Sequence, residues 1–64
     1  MKAAGYKLFK LSATRYRLTR GTRHSFVTLI DGQWRQTTKD GAPVRKGILP
    51  RDLERVVAVI EGEV

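Results

Sequence analysis

Runs of β-branched and aromatic residues, separated by turn signals, occupy most of the chain between residues 6 and 48. Such residues favour strands. Asp-Gly pairs at 31–32 and 40–41 predict tight hairpin turns, because these turns need positive φ at their central residues. We therefore expect an antiparallel meander of about four strands. The first covers 6–20, as one strand or as two with a bulge near Ser12-Ala13, and the others cover about 24–30, 33–39 and 42–48.

The hydrophobic spacing changes to that of a helix after residue 50. Leu53, Val56, Val57 and Ile60 recur at i, i+3, i+4 and i+7, the stripe of an amphipathic helix. Pro50 suits a first helical turn. The sequence thus predicts an α+β fold, a meander followed by one C-terminal amphipathic helix. The stripe is wider than a small sheet needs to cover, so we expect an oligomer interface at Val56, Val59 and Ile60.

The turns also predict which side chains share a face of the sheet. A two-residue Asp31-Gly32 turn pairs Ile30 with Gln33, and a three-residue loop over 21–23 pairs Arg20 with His24. With alternating side chains, one face should meet the helix and hold Tyr16, Leu18, Phe26, Ile30, Arg35 and Thr37. The other face should hold Arg15, Arg17, Thr19, Val27, Leu29, Trp34, Gln36 and Thr38.

Size limits how stable this fold can be. The 64 residues form one small domain, and a chain this short buries only about 60% of its unfolded surface. It has no cysteine, so neither a disulfide nor a thiolate-held zinc can brace it. We therefore expect a homodimer. No apolar run approaches the ~20 residues of a membrane span, and we expect a cytoplasmic or nucleoid-associated protein without a membrane partner.

Charge supplies the functional signal. The chain carries 13 Lys and Arg against 6 Asp and Glu, and its first thirty residues contain no acidic residue. Such a polarised basic surface points to a polyanion, most simply nucleic acid. Cations beside an aromatic ring suit single strands, since cations follow phosphates while a ring stacks on a base. The predicted nucleic-acid-binding residues are Arg15, Arg17, Arg20, Arg23, Trp34, Lys39, Arg45 and Lys46.

The sequence offers no catalytic or metal-binding pattern. His24 is the single histidine, and strand alternation would send it and Ser25 to opposite faces. The acidic residues fall in turns and on the helix, and no glycine pattern matches a phosphate loop. We therefore expect a protein that is not an enzyme and has no cofactor, no catalytic residue and no metal.

The C-terminal half resembles the positive cofactor four family of transcriptional coactivators. The resemblance covers about residues 26–61 and rests on Lys39-Asp40-Gly41, Pro43 and Arg45-Lys46-Gly47-Ile48, followed at once by the helix from Pro50. It implies a curved antiparallel sheet that binds single-stranded DNA, dimerisation largely through the helix, a role in regulating transcription, and Lys46 and Trp34 as nucleic-acid contacts. Asp31-Gly32-Gln33 departs from the family's usual isoleucine-arginine pair.

The leading interpretation is a non-catalytic protein that binds single-stranded DNA or RNA with low sequence specificity. Two alternatives remain open. The first is a small basic interaction or inhibitor protein that docks on an acidic partner protein. The second is a duplex DNA-binding protein of the chromatin type.

Overall fold

The computed structural model describes residues 1–44 and 47–62 and contains five strands and one helix. The strands are β1 (Lys2–Ala3), β2 (Tyr6–Ser12), β3 (Arg15–Arg20), β4 (Arg23–Ile30) and β5 (Gln33–Thr37), and the helix is α1 (Pro50–Gly62). Each strand pairs antiparallel with its neighbour in sequence, in the order β1-β2-β3-β4-β5. The predicted α+β class, with a meander before a C-terminal helix, is confirmed.

Three of the four hairpins turn through positive φ. Asp31 (φ 51°) and Gly32 (φ 78°) close β4–β5 and pair Ile30 with Gln33, as predicted. Ala4 (φ 52°) and Gly5 (φ 82°) close β1–β2, a hairpin that the sequence did not indicate because alanine is uncommon in this region. The predicted break near Ser12-Ala13 is the turn from β2 to β3, with a shift of register between Lys10 and Ser12.

The predicted three-residue loop at Gly21 is wrong. Gly21, at φ 60°, and Thr22 form a two-residue turn, so Arg20 pairs with Arg23 and not with His24. The slip of one residue moves β4 and β5 to the opposite face relative to β3. The two predicted faces are therefore each half wrong, and Tyr16 and Leu18 lie beside Val27 rather than Phe26.

The predicted strand over 42–48 is also absent from the described part of that segment. β5 ends at Thr37, and Pro43 forms an isolated bridge with Thr37. Proline has no N–H to donate to a ladder, which limits pairing here. Val44 adds one bond, from its N–H to the Gln36 carbonyl at 3.4 Å.

Helix α1 covers one face of the sheet and completes the core. Pro50 is its first residue, and its first turn is closed by the Leu53 N–H bonding the Leu49 carbonyl at 2.9 Å. The buried cluster consists of Ala3, Tyr6, Leu8, Tyr16, Leu18, Val27, Val56 and Ile60. We call this side of the sheet the inner face and the opposite side the open face.

The helix residues predicted to form an oligomer interface are used within the chain. Val56 and Ile60 are 0% exposed, and Val59 is partly buried against the same cluster. Val56 and Ile60 therefore have no surface to offer a second copy in this arrangement, and a homodimer stays a prediction that would need other contacts. The described residues include no helix long and apolar enough to cross a bilayer.

Candidate nucleic-acid interface

Three rows of side chains that run across the strands make up most of the open face, beside the Ile30–Gln33 pair at the end of β4 and β5. Because paired residues share a face, the pairing in each ladder gives the rows directly. One row is Lys2, Lys7, Thr19 and His24, the next is Phe9, Arg17, Phe26 and Thr37, and the third is Ser12, Arg15, Thr28 and Arg35. None of the five strands contains an acidic residue. Cations and aromatic rings thus share this surface without a carboxylate among them.

The middle row places an arginine between two phenylalanines. Phe9 is 42% exposed and Phe26 is half-buried. The Arg17 guanidinium lies 4.9 Å from the centroid of the Phe9 ring, at cation–π distance. Arg17 and the two lysines of the first row are exposed, so this part of the open face combines an accessible ring with unburied positive charge.

Arg15 plays a different part on the same strand and face. Its guanidinium lies 5.0 Å from the Phe26 ring centroid, and its Nη2 donates to the Thr38 carbonyl at 3.0 Å and to the Lys39 carbonyl. These bonds tie the loop after β5 to the sheet. Thr37 is only 1% exposed although it lies on the open face, and its hydroxyl bonds that of Thr28 at 2.9 Å.

Trp34 lies on the inner face, away from Arg15 and Arg17. It pairs with Leu29, is half-buried, and meets the Tyr16 ring edge-on with centroids 5.6 Å apart and an interplanar angle of 76°. Trp34 does not share a face with the two arginines, as was predicted, because the turn at Gly21 is one residue shorter than the predicted loop.

The other predicted residues are divided between separate places. Arg20 and Arg23 pair with each other beside the Gly21-Thr22 turn, and by strand alternation they lie on the inner side, with the Arg20 guanidinium 5.5 Å from the Tyr6 ring centroid. Lys39 is exposed in the loop that Arg15 holds. Arg45 and Lys46 lie outside the described residues.

The structure adds residues that sequence reasoning missed. Phe9, Phe26, Lys7 and Arg35 join Arg17 on the open face. Arg35 is exposed, and its Nη2 donates to the Gln33 side-chain oxygen at 2.9 Å. The signal that could have found them is the Gly-Thr dipeptide, since glycine at the first central position is the mark of a two-residue type II′ turn.

Neither a metal site nor a protein family is assigned to the described residues. Within residues 1–44 and 47–62, no group of three or more His, Asp or Glu residues is arranged to hold a metal ion. Comparison with protein-family models, curated proteins and solved structures finds no match to this chain. The resemblance to the positive cofactor four family therefore stays a prediction.

Proposed function

We propose that this protein binds single-stranded nucleic acid on the open face of its sheet, without catalysing a reaction. The observation that carries the proposal is the row of Phe9, Arg17 and Phe26, flanked by lysines and arginines on strands that contain no acid. Exposed bases stack on aromatic rings, and each such contact contributes roughly 1–3 kcal/mol. Duplex DNA hides its bases, so a surface built around a ring favours the single strand.

Arg17 and Phe9 would act together in this proposal. In the free protein the guanidinium covers the Phe9 ring at 4.9 Å. An incoming base takes that position on the ring, and the guanidinium moves to a neighbouring phosphate. Lys7 and Arg35 contact phosphates on either side. Arg15 keeps its bonds to the loop carbonyls and contributes mainly by holding Lys39 near the face.

Two matched arginine variants test this assignment. Arg17 is exposed on the open face and Arg55 is exposed on α1, so Arg17→Ala and Arg55→Ala remove the same charge from opposite sides. Fluorescence anisotropy with a labelled oligonucleotide should show weaker binding for Arg17→Ala only. Its slope of log K against log salt should also be shallower by about 0.7, the value for one phosphate on a single strand.

The stacking contact is tested separately. Phe9→Ala should weaken binding about 5- to 150-fold with little change in the salt slope, because the lost contact is uncharged. The same titrations with duplex DNA, single-stranded DNA and RNA distinguish the alternatives. Equal affinity for duplex and single strand would support the chromatin-type alternative. Failure to bind any oligonucleotide at low salt would overturn the proposal and leave the acidic protein partner.

A further inference from the structure

A notch lies at the sheet edge where β4 extends past β5. β5 ends at Thr37, opposite Phe26, so residues 23–25 of β4 have no strand beside them on that side. The chain turns away because the Thr38 N–H bonds the Ala42 carbonyl at 2.8 Å. The Thr38 hydroxyl also accepts the N–H of Ala42 at 3.2 Å, which stabilises the turn.

Val44, Gly47 and Ile48 form the outer wall of the notch. Gln36 fixes this wall: its Nε2 donates to the Ser25 hydroxyl at 2.6 Å, and its Oε1 accepts the Ile48 N–H at 3.1 Å. The notch is open to solvent on one side and has a volume of about 380 Å³, with Phe26, Val44 and Ile48 among its apolar lining. That size lies within the ~300–1,000 Å³ of ligand pockets.

Among residues 1–44 and 47–62, the notch offers a backbone donor and acceptor that no other backbone group bonds. Ile30 and Gln33 flank a two-residue turn and form the hydrogen-bonded pair that closes it. Every second residue of β4 therefore directs its N–H and C=O toward β5, namely Ile30, Thr28, Phe26 and His24. At His24 the strand that would accept and donate these bonds has ended. A base edge, which carries donors and acceptors side by side, suits such a pair.

The charge of the lining selects an anion. Arg23 and Lys39 line the notch and are exposed, and none of its described lining residues is acidic. Asp40 adjoins Lys39 in sequence but is not part of the lining. Phe26 belongs to both the notch and the open face, so a strand bound on that face reaches the notch directly.

We propose that the notch receives one unstacked base of the strand that the open face binds. The base edge bonds the His24 N–H and C=O, and the base lies against the apolar side chains of Val44 and Ile48, while Arg23 and Lys39 hold its phosphates. This inference rests on the proposed function. It adds a second kind of contact, because the notch encloses a base that the open face alone would leave exposed.

A variant that fills the notch provides the test. Val44→Trp adds an indole to the notch, and Ala58→Trp adds the same group on the exposed side of α1 as the control. An oligothymidine of about eight nucleotides should bind Val44→Trp about tenfold more weakly than wild type, the scale of one base contact. It should bind Ala58→Trp as wild type. Circular dichroism checks that both variants fold.

Amide chemical shifts of the wild-type protein test the inference without any substitution. On addition of the same oligothymidine, the His24 and Val44 amide signals should move together with those of Phe9 and Arg17. If only the open-face signals move, and Val44→Trp binds as wild type, the notch is not a base site while the proposed function stands. If no signal moves and no oligonucleotide binds, the proposed function fails and this inference fails with it.

Discussion

Gln36 is the side chain on which the connection between β5 and the helix depends most. Its amide bonds Ser25 on one side and Ile48 on the other, and its backbone carbonyl accepts from Val44. Gly47 passes so close that a Cβ built there would lie 2.5 Å from the Gln36 Cδ, well inside van der Waals contact. A larger residue at 47 would therefore have to displace the end of the Gln36 side chain, so the close fit depends on that neighbour and not on a turn.

A double-mutant cycle tests this dependence. Gly47→Ala should lower the free energy of unfolding by about 1–2 kcal/mol, because the Gln36 amide must give up its hydrogen bonds to make room. In a Gln36→Ala background the same substitution should cost little, since the obstructing side chain is gone. Urea denaturation measures both. Gly62→Ala, where no atom lies within 4 Å of the added Cβ, is the control. Equal costs in the two backgrounds would contradict the argument.

The strands show which parts of the fold the sequence could specify. Asp31-Gly32 fixed the β4–β5 register correctly, because both residues accept the positive φ of a type I′ turn. The register predicted for β3 and β4 was wrong because β4 has apolar side chains on both faces. Phe26 and Ile30 alternate with Val27 and Leu29, so hydrophobicity could not say which pair faces inward.

The error in the predicted β3–β4 register also changed which residues were predicted to lie beside Arg17. Arg17 was predicted to share a face with Trp34, whereas the structure gives it Phe9 as its aromatic neighbour on the open face. The Ala4-Gly5 hairpin was missed because propensity does not predict alanine at positive φ. Charge segregation needed no register, which is why the basic character of the sheet was predictable when its faces were not.

Truncation to alanine should affect the free energy of unfolding very differently at Arg17 and Leu18, which are adjacent on β3. Leu18 is 0% exposed on the inner face, so Leu18→Ala should lower the free energy of unfolding by about 2–5 kcal/mol. Arg17 is exposed on the open face, so Arg17→Ala should change it by less than about 1 kcal/mol. Thermal or urea denaturation of the two variants checks the register. A larger loss of stability for Arg17→Ala than for Leu18→Ala would mean that Arg17, and not Leu18, lies on the inner face.

The molecule as a body separates its charges. Strands β1 to β5 carry no acid, while Asp52, Glu54 and Glu61 lie on α1, which covers the other side of the sheet. A polyanion that approaches the open face therefore meets a positive potential. On the helix side the carboxylates weaken that attraction. This asymmetry steers the approaching nucleic acid toward the open face before any specific contact forms.

Salt dependence measures this separation. If Lys7, Arg17 and Arg35 each neutralise one phosphate, log K for a single-stranded oligonucleotide should fall with log salt at a slope of about −2, and of about −3.5 if Arg23 and Lys39 at the notch do so as well. Anisotropy titrations over a range of salt concentrations give the slope directly. A slope near zero would mean that binding, where observed, does not use these cations. A much steeper slope would indicate that further cations take part.

The meander and the late position of α1 together have a consequence during protein synthesis. Each strand can pair as soon as its neighbour emerges, and such local pairing is fast. Yet the inner face, with Leu18 and Val27, is covered only when α1 has been made and has docked, in part against β1 at the other end of the chain. A ribosome-bound intermediate would thus have a formed sheet with one hydrophobic face exposed, the kind of surface that chaperones recognise.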